Sequence, residues 1–309
     1  GPPTSAPAAR AAGPPGPAPA AGKISGGPLP LTVGLGTCLV SDSGAAGQVS
    51  EAIAAGYRLF DTAQRYGNEA GLGRALRRAF NAGLPRDEVF VTTKVWPANY
   101  GYDNTISSVR ESLDDLGLDS VDLLLPHWPG VGTGPEQASE NLRLRRETWR
   151  ALEDLKKQGR AKQIGVSNYN SRHLKELLGY AEAKPAASQF EIHPFNARQD
   201  LVELCQAEGI CVNGYSPLGG KGNQGAVTDE LLSSPTLKRI ANAYGKTPAQ
   251  VILRWHLQRG ITPIPKARSP SRIRENYQVF DFALKPEEMA EISSMDRRKF
   301  VIMDSEVFL

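Results

Sequence analysis

Short apolar runs alternate with amphipathic stretches from Leu29 onward, and this alternation repeats along the rest of the chain. The apolar runs predict strands at residues 33–37, 58–62, 89–95, 121–127, 161–168, 187–193, 210–216 and 262–266. The amphipathic stretches predict helices at residues 46–55, 69–82, 103–116, 143–157, 172–183, 198–208, 248–258 and 270–280. Strands and helices that alternate at this spacing indicate βαβ units and a parallel sheet.

The predicted strands are nearly continuous apolar runs, as is typical of a parallel sheet that is covered on both faces. The strand–helix units fill about the length that a closed (β/α)8 barrel needs, since the chain has 309 residues. We therefore predict an α/β fold in which residues 28–309 form one (β/α)8 TIM barrel. An open doubly wound sheet is the alternative, but no G-x-G-x-x-G sequence stands at the first strand–helix turn.

The first 22 residues are almost entirely Ala, Pro and Gly, and Arg10 carries their only charge. Such a segment has little apolar surface to bury, so we predict a disordered tail or linker over residues 1–27. The acid-free composition fits a linker, the remnant of a transit peptide or an extension left by expression cloning. We expect a cytoplasmic protein, with an organelle as the alternative if this tail is a transit remnant.

The charge balance and the cysteines exclude several classes of function. The net charge of +3 is small and no Lys/Arg cluster is interleaved with aromatic residues, so we expect no nucleic-acid partner. No apolar run is long enough to span a bilayer, so we expect no membrane partner. The three cysteines, Cys38, Cys205 and Cys211, form no C-x-x-C pair, which argues against a disulfide framework or a zinc site. A reducing compartment and a site without metal are therefore expected.

Four polar side chains stand where three neighbouring predicted strands end. Asp61 ends the second strand and Tyr66 lies in the turn after it, whereas Lys94 and His127 end the third and fourth strands. Taken alone, Asp61 could be a helix cap and Tyr66 a core ring. Because the carboxyl ends of parallel strands meet at one face of a barrel, we expect the four side chains to converge. A buried lysine also needs a partner, which Asp61 can supply.

A lysine ammonium held near a tyrosine hydroxyl favours the phenolate, so we expect Lys94 to lower the pKa of Tyr66. Such a tyrosine could give up a proton near neutral pH, whereas an unperturbed tyrosine, with a pKa of about 10, would be a poor donor. His127 could hydrogen-bond a substrate oxygen and fix its position. The constellation therefore predicts proton-transfer chemistry at the strand ends.

Three stretches are similar, in this order, to motifs of the aldo-keto reductase superfamily: residues 56–73, 112–129 and 264–280. The resemblance implies a (β/α)8 barrel and NAD(P)H-dependent reduction of aldehydes and ketones. It implies a catalytic tetrad of Asp61, Tyr66, Lys94 and His127, in which the nicotinamide delivers a hydride to the carbonyl carbon and Tyr66 protonates the developing alkoxide. The histidine, in place of a glutamate, implies reduction of a carbonyl rather than of a conjugated C=C bond.

The resemblance also implies a dinucleotide site. It assigns to the cofactor the residues Thr37, Ser167, Asn168, Gln189, Tyr215, Ser216, Leu218, Lys266, Arg268, Arg272, Glu275 and Asn276. Lys266 and Arg272 would form a cationic pocket for the 2′-phosphate of NADP(H). Ala267 stands where the family usually has a serine that contacts this phosphate, so NAD(H) stays open as an alternative, and Arg268 is a candidate to compensate.

Three residues are expected to contact the substrate: Cys38, Trp96 and Trp128. Cys38 stands where the family commonly has a tryptophan, which implies a wider or less aromatic pocket. Residues 303–309 are expected to cover little of the site, which favours a small aldehyde or ketone as the substrate. We expect a monomer or a weak homodimer. The alternative function is that of an NADP(H)-binding, redox-sensing accessory barrel or structural protein with little turnover.

Overall fold

The computed structural model describes residues 29–222 and 225–309. The segment predicted to be a disordered tail, residues 1–27, lies outside the described residues. The strands are β1 Leu35–Gly36, β2 Leu59–Asp61, β3 Phe90–Val95, β4 Val121–Pro126, β5 Ala161–Ile164, β6 Val166–Ser167, β7 Ala187–Glu191, β8 Cys211–Tyr215, β9 Lys221–Gly222, β10 Gly225–Ala226 and β11 Ile261–Ile264. The helices are α1 Asp42–Ala54, α2 Glu69–Asn81, α3 Tyr102–Leu116, α4 Ala138–Lys157, α5 Ser171–Leu178, α6 Gln199–Ala207, α7 Thr228–Ser233, α8 Pro235–Tyr244, α9 Pro248–Gln258, α10 Pro270–Tyr277 and α11 Pro286–Ser293.

The strands form two parallel sheets and one short hairpin. The first sheet has the order β1-β2-β3-β4-β5, and the second has the order β11-β8-β7-β6. All pairings within these two sheets are parallel, whereas β9 and β10 pair antiparallel as a separate hairpin. The α/β class with a parallel strand arrangement, predicted from the strand–helix alternation, is therefore confirmed.

Gly165 separates β5 from β6 within the segment that was predicted to be a single strand. A Cβ atom at this position would lie 2.4 Å from the Ala187 carbonyl oxygen and 2.9 Å from Leu125 Cδ2. The neighbouring strands approach so closely here that only a residue without a side chain fits. The two sheets are thus joined through one glycine, and the Gly165 N–H donates to the Leu124 carbonyl oxygen at 3.1 Å.

Two backbone hydrogen bonds connect the first strand with the end of the last one. The Gly34 N–H donates to the Pro263 carbonyl oxygen at 2.9 Å, and the Gly36 N–H donates to the Pro265 carbonyl oxygen at 3.0 Å. The ladder of β1 therefore continues to the segment of β11, on the edge opposite to β2. None of the helices in the described ranges is long and apolar enough to cross a membrane.

Three helices were not predicted from the apolar pattern: α7, α8 and α11. Their helical signals are the residues at the helix ends, not a repeat of apolar residues. Helix α8, for example, begins with Pro235 and is followed by Gly245 in the left-handed conformation. Helix α11 also begins with a proline, Pro286, at a position where the missing N–H costs nothing. The predicted helix over residues 172–183 is shorter than expected, because α5 ends at Leu178.

Candidate active site

Asp61 and Lys94 form an ion pair at the carboxyl ends of two neighbouring strands. Asp61 is the last residue of β2, and Lys94 lies on β3, which pairs with β2 in parallel register. The Lys94 Nζ atom lies 2.6 Å from Asp61 Oδ1 and donates a second hydrogen bond to the Thr62 carbonyl oxygen at 3.0 Å. Both charged side chains are buried, so each supplies the counter-charge that the other needs away from water.

Tyr66 and His127 lie beside this pair. Tyr66 ends the 3-10 turn Gln64–Tyr66 that follows β2, and His127 comes directly after β4. The Lys94 Nζ atom lies 5.2 Å from the centroid of the Tyr66 ring, and the centroids of the Tyr66 and His127 rings are 5.6 Å apart. The structure therefore brings together the four side chains that the strand ends predicted to converge.

The prediction that Lys94 lowers the pKa of Tyr66 is wrong. Burial and, next, the Asp61 carboxylate raise the pKa of Tyr66 well above its usual value of 10. The physical reason is that the Lys94 ammonium is paired with Asp61 at 2.6 Å, so the carboxylate offsets the field of the cation while burial penalises the phenolate. Tyr66 is therefore a protonated phenol at neutral pH, which is the form that can donate a proton.

We expect no ionisation of Tyr66 in the protein without cofactor below about pH 10, because burial disfavours the phenolate. Absorbance titration near the phenolate band should give the same curve for the wild type and for Tyr66→Phe between about pH 7 and pH 10. An additional ionisation step that appears in the wild type and disappears in Tyr66→Phe would instead show that the Lys94 cation outweighs burial and Asp61 in setting the pKa of Tyr66.

The His127 imidazole is neutral and firmly held. Burial, assisted by the Lys94 cation, lowers the pKa of His127 well below its usual 6.5. The His127 N–H of the backbone donates to the Val95 carbonyl oxygen at 3.0 Å, and the Trp96 ring lies edge-on at a centroid distance of 5.4 Å. A neutral imidazole has one N–H donor and one acceptor nitrogen, so His127 can hold a substrate oxygen without adding a charge.

Three of the residues assigned to the cofactor form a hydrogen-bonded group with the tetrad. The Gln189 Nε2 atom donates to Asp61 Oδ2 at 2.8 Å, and the Asn168 Nδ2 atom donates to the His127 carbonyl oxygen at 2.8 Å. The Tyr215 hydroxyl donates to Asn168 Oδ1 at 2.7 Å. These amides and this ring therefore stand next to the candidate catalytic groups, where the resemblance places the nicotinamide.

The remaining cofactor candidates differ in exposure. Lys266, Arg268 and Arg272 are exposed, whereas the buried ones are Thr37, Ser167 and Asn276 and the half-buried ones are Ser216, Leu218 and Glu275. The Arg268 Nη2 atom donates to the Leu39 carbonyl oxygen at 2.6 Å, so its guanidinium is attached to the loop after β1. Glu275 Oε1 accepts a hydrogen bond from Thr247 Oγ1 at 2.8 Å. Exposed cations are the kind of group that binds the phosphates of a dinucleotide.

The three substrate-contact candidates lie near members of the tetrad: Trp96 and Trp128 near His127, and Cys38 near Tyr66. The Trp128 ring is stacked parallel to His127 at a centroid distance of 6.5 Å, opposite in orientation to the edge-on Trp96. Cys38 is half-buried. Burial raises the pKa of the Cys38 thiol, so this group stays a neutral thiol beside the phenol.

Two residues that shape the site were not singled out from the sequence. Asn68 donates from Nδ2 to the Thr37 and Val40 carbonyl oxygens, at 2.9 Å each, and so holds the loop that carries Cys38. The position of Asn68 directly after the polar turn was the sequence signal that could have identified it. Phe308 lies with its ring centroid 5.8 Å from that of Trp128. One of residues 303–309, which were expected to cover little of the site, thus packs on a substrate-contact candidate.

At the ends of parallel strands the structure thus brings together a paired lysine, a protonated tyrosine and a neutral histidine, groups that can hold and transfer a proton. Residues 32–297 match the sequence model of the Aldo/keto reductase family. The chain belongs to this family.

Individual relatives agree with this assignment. The chain is 43% identical to a Bacillus subtilis protein, the uncharacterized oxidoreductase YtbE, over 84% of this chain and 86% of that protein. It is 39% identical to the aldo-keto reductase family 1 member A1 of Mus musculus, over 88% of both chains. Among solved structures, the aldo-keto reductase MGS-M4 from a deep-sea metagenome library is 37% identical, with a TM-score of 0.81 over 90% of this chain and 95% of that chain. The Bombyx mori aldo-keto reductase in complex with NADP is 34% identical, with a TM-score of 0.79 over 90% of this chain and 92% of that chain.

Proposed function

We propose that this protein is an NADP(H)-dependent oxidoreductase that reduces small aldehydes or ketones to alcohols, with Tyr66 as the proton donor. The observation that carries the proposal is the protonated Tyr66 phenol, which lies beside a buried Lys94–Asp61 pair and a neutral His127. A reaction that creates an oxygen anion is served by a proton donor, a cation and a neutral hydrogen-bonding group at one point. The family membership supports the same reaction class.

Each side chain has a role that its surroundings support. A bound NADPH would supply the hydride. The Tyr66 hydroxyl gives its proton to the substrate oxygen, and the Lys94 ammonium, which Asp61 holds in place, stabilises the phenolate that remains. His127 fixes the substrate oxygen between its imidazole and the phenol. Trp96 and Trp128 exclude water from this oxygen and position the apolar part of the substrate.

We also infer that the two sheets form a single closed (β/α)8 barrel within the part of the chain that the structure describes. The hydrogen bonds from Gly34 to Pro263 and from Gly36 to Pro265 support the inference on one side. The passage from β5 to β6 through Gly165 supports it on the other side. In such a barrel the candidate tetrad lies at the C-terminal face, where the active sites of this architecture are built.

We propose that the exposed cations Lys266 and Arg272 bind the 2′-phosphate and so make the protein prefer NADP(H) to NAD(H). NADPH should be oxidised with a simple aromatic aldehyde, and we expect Arg272→Ala to raise the KM for NADPH roughly ten- to a hundredfold, because a charge-assisted contact contributes about 1.5–3 kcal/mol. The KM for NADH should stay unchanged. The matched control is Arg274→Ala on the same helix, since Arg274 instead lies 3.6 Å from Glu51.

The experiment has two outcomes against the proposal. A panel of aldehydes and ketones that causes no NADPH oxidation would contradict the reductase function. An equal rise in KM for NADPH and NADH in Arg272→Ala would instead contradict the role of Arg272 at the 2′-phosphate and favour a general role in the helix.

A further inference from the structure

The last residues of the chain lie against helix α5. The carbonyl oxygen of Phe308 accepts two hydrogen bonds from this helix, one from Arg172 Nη2 at 2.5 Å and one from His173 Nε2 at 2.8 Å. The Phe308 side chain is buried, although both neighbours, Val307 and Leu309, are exposed. One residue of the C-terminal segment is thus held through its backbone while its ring points into the protein.

His173 is oriented by the N-terminal cap of α5. The Asn170 side chain accepts from the His173 backbone N–H at 3.0 Å, and the Asn170 backbone N–H donates to His173 Nδ1 at 3.4 Å. Burial lowers the pKa of His173 to about 4, so the ring is neutral at pH 7. Nδ1 is an acceptor and the Phe308 carbonyl can only accept, so the single ring proton is on Nε2. The cap therefore fixes the tautomer that holds Phe308.

Helix α4 holds the same segment together with the loop after β4. The Arg145 Nη1 atom donates to the Pro129 carbonyl oxygen at 2.9 Å and to the Leu309 carbonyl oxygen at 3.3 Å. Asn141 Nδ2 donates to Gly132 O at 2.9 Å and also reaches Leu309 O at 3.3 Å. Each of these two buried side chains therefore contacts both the loop that follows Trp128 and the C-terminal segment.

The C-terminal segment and the loop after β4 also meet next to the candidate active site. The Phe308 ring packs on Trp128 at a centroid distance of 5.8 Å, and Trp128 is stacked on His127 at 6.5 Å. The backbone of Trp128 is fixed by Tyr100, whose hydroxyl accepts from the Trp128 N–H at 3.0 Å. Because this hydrogen bond holds the backbone of Trp128, its indole ring moves mainly by rotation about its side-chain bonds, and the contact with the Phe308 ring restrains that rotation.

We propose that Arg172 and His173 are positioning residues of the substrate pocket. By holding the Phe308 carbonyl oxygen they keep the Phe308 ring on Trp128, and the apolar wall that the indole face then presents selects carbonyl substrates with a planar apolar body, such as aromatic aldehydes. This inference rests on the proposed reductase function. Neither residue contacts the tetrad in the structure, so both act on the substrate through Phe308 and Trp128.

The test compares an aromatic aldehyde with a short aliphatic aldehyde in the NADPH-loaded enzyme. We expect Arg172→Ala and Phe308→Ala to raise the KM for the aromatic aldehyde about three- to tenfold, with less than about a twofold change in kcat. The KM for the short aldehyde should change less than about twofold, since it does not reach the wall. Arg172→Lys keeps a cationic donor and should restore most of the lost affinity. Lys175→Ala, an exposed position of the same helix, is the control.

A second measurement does not depend on turnover. The fluorescence of Trp128, obtained by subtracting the spectrum of the corresponding Trp128→Phe protein, should shift to the red in Arg172→Ala because water reaches the indole. An unchanged spectrum together with an unchanged KM would overturn the inference, as would equal losses of affinity for both aldehydes, which indicate a general structural effect. If the wild type reduces no carbonyl, the proposed function fails, while the fluorescence still decides whether Arg172 positions Trp128.

Discussion

Tyr66→Phe is expected to lower kcat for carbonyl reduction by about 10²–10⁴-fold, which is the range that a positioned general acid contributes. The substitution removes one oxygen and leaves the ring, so the contacts of the ring with Lys94 and His127 should persist. The Kd for NADPH should therefore change little. Single-turnover kinetics gives the chemical step, and quenching of protein fluorescence by NADPH gives the binding constant.

The matched control for this substitution is Tyr180→Phe. The Tyr180 hydroxyl is buried and makes no hydrogen bond within the described residues, and the Arg146 guanidinium lies over its ring at 5.2 Å. Tyr180→Phe therefore tests whether the loss of any buried tyrosine hydroxyl affects turnover. We expect Tyr180→Phe to keep the wild-type kcat.

His127 is the competing candidate for the proton donor. Its pKa is lowered well below 6.5 by burial and by Lys94, so the imidazolium that would donate most readily is scarce at neutral pH. His127→Gln keeps a hydrogen-bonding group and should lower kcat less than Tyr66→Phe does. The reverse order of the two variants would transfer the donor role from Tyr66 to His127.

The convergence of the tetrad could be predicted because it depends on one topological fact. Parallel strands present their carboxyl ends on one face, so residues that end consecutive strands, such as Asp61 and Lys94, must be neighbours. The pKa of Tyr66 could not be predicted in the same way. Its direction depends on how the charges of the pair cancel and on how deeply the phenol is buried, and neither quantity is encoded in the spacing of the residues.

The contacts of Phe308 and Arg268 also could not be predicted from the sequence. Phe308 is held by Arg172, which lies 136 positions earlier, and Arg268 donates to a carbonyl oxygen 229 positions away. Strand periodicity and caps report interactions within a few residues, so such distant pairings depend on the assembled fold. By contrast, the missed helix α8 had local signals at both ends, Pro235 and Gly245, that could have predicted it.

The Asp61–Lys94 pair gives the largest expected effect on stability. Asp61→Ala should lower the free energy of unfolding by about 3–5 kcal/mol, because it leaves the Lys94 ammonium buried with no counter-charge. The exposed fractions of the two side chains are only 4% and 1%, so water cannot replace the lost carboxylate. Lys94→Met should cost less, since Asp61 Oδ2 still accepts a hydrogen bond from Gln189 at 2.8 Å.

Urea denaturation measures these changes, and the double variant Asp61→Ala/Lys94→Met separates two explanations. If the cost arises from an uncompensated charge, the double variant should be more stable than Asp61→Ala alone, whereas additive losses would contradict this explanation. Glu140→Ala is the control, since its ion pair with Arg143 is exposed on both sides and should contribute at most about 1 kcal/mol. We expect the double variant to fold but to lack reductase turnover, because the phenolate left by Tyr66 would have no cation beside it. An inactive double variant that is also more stable than the wild type would show that the pair is retained for its chemistry, at a cost in stability that an apolar pair avoids.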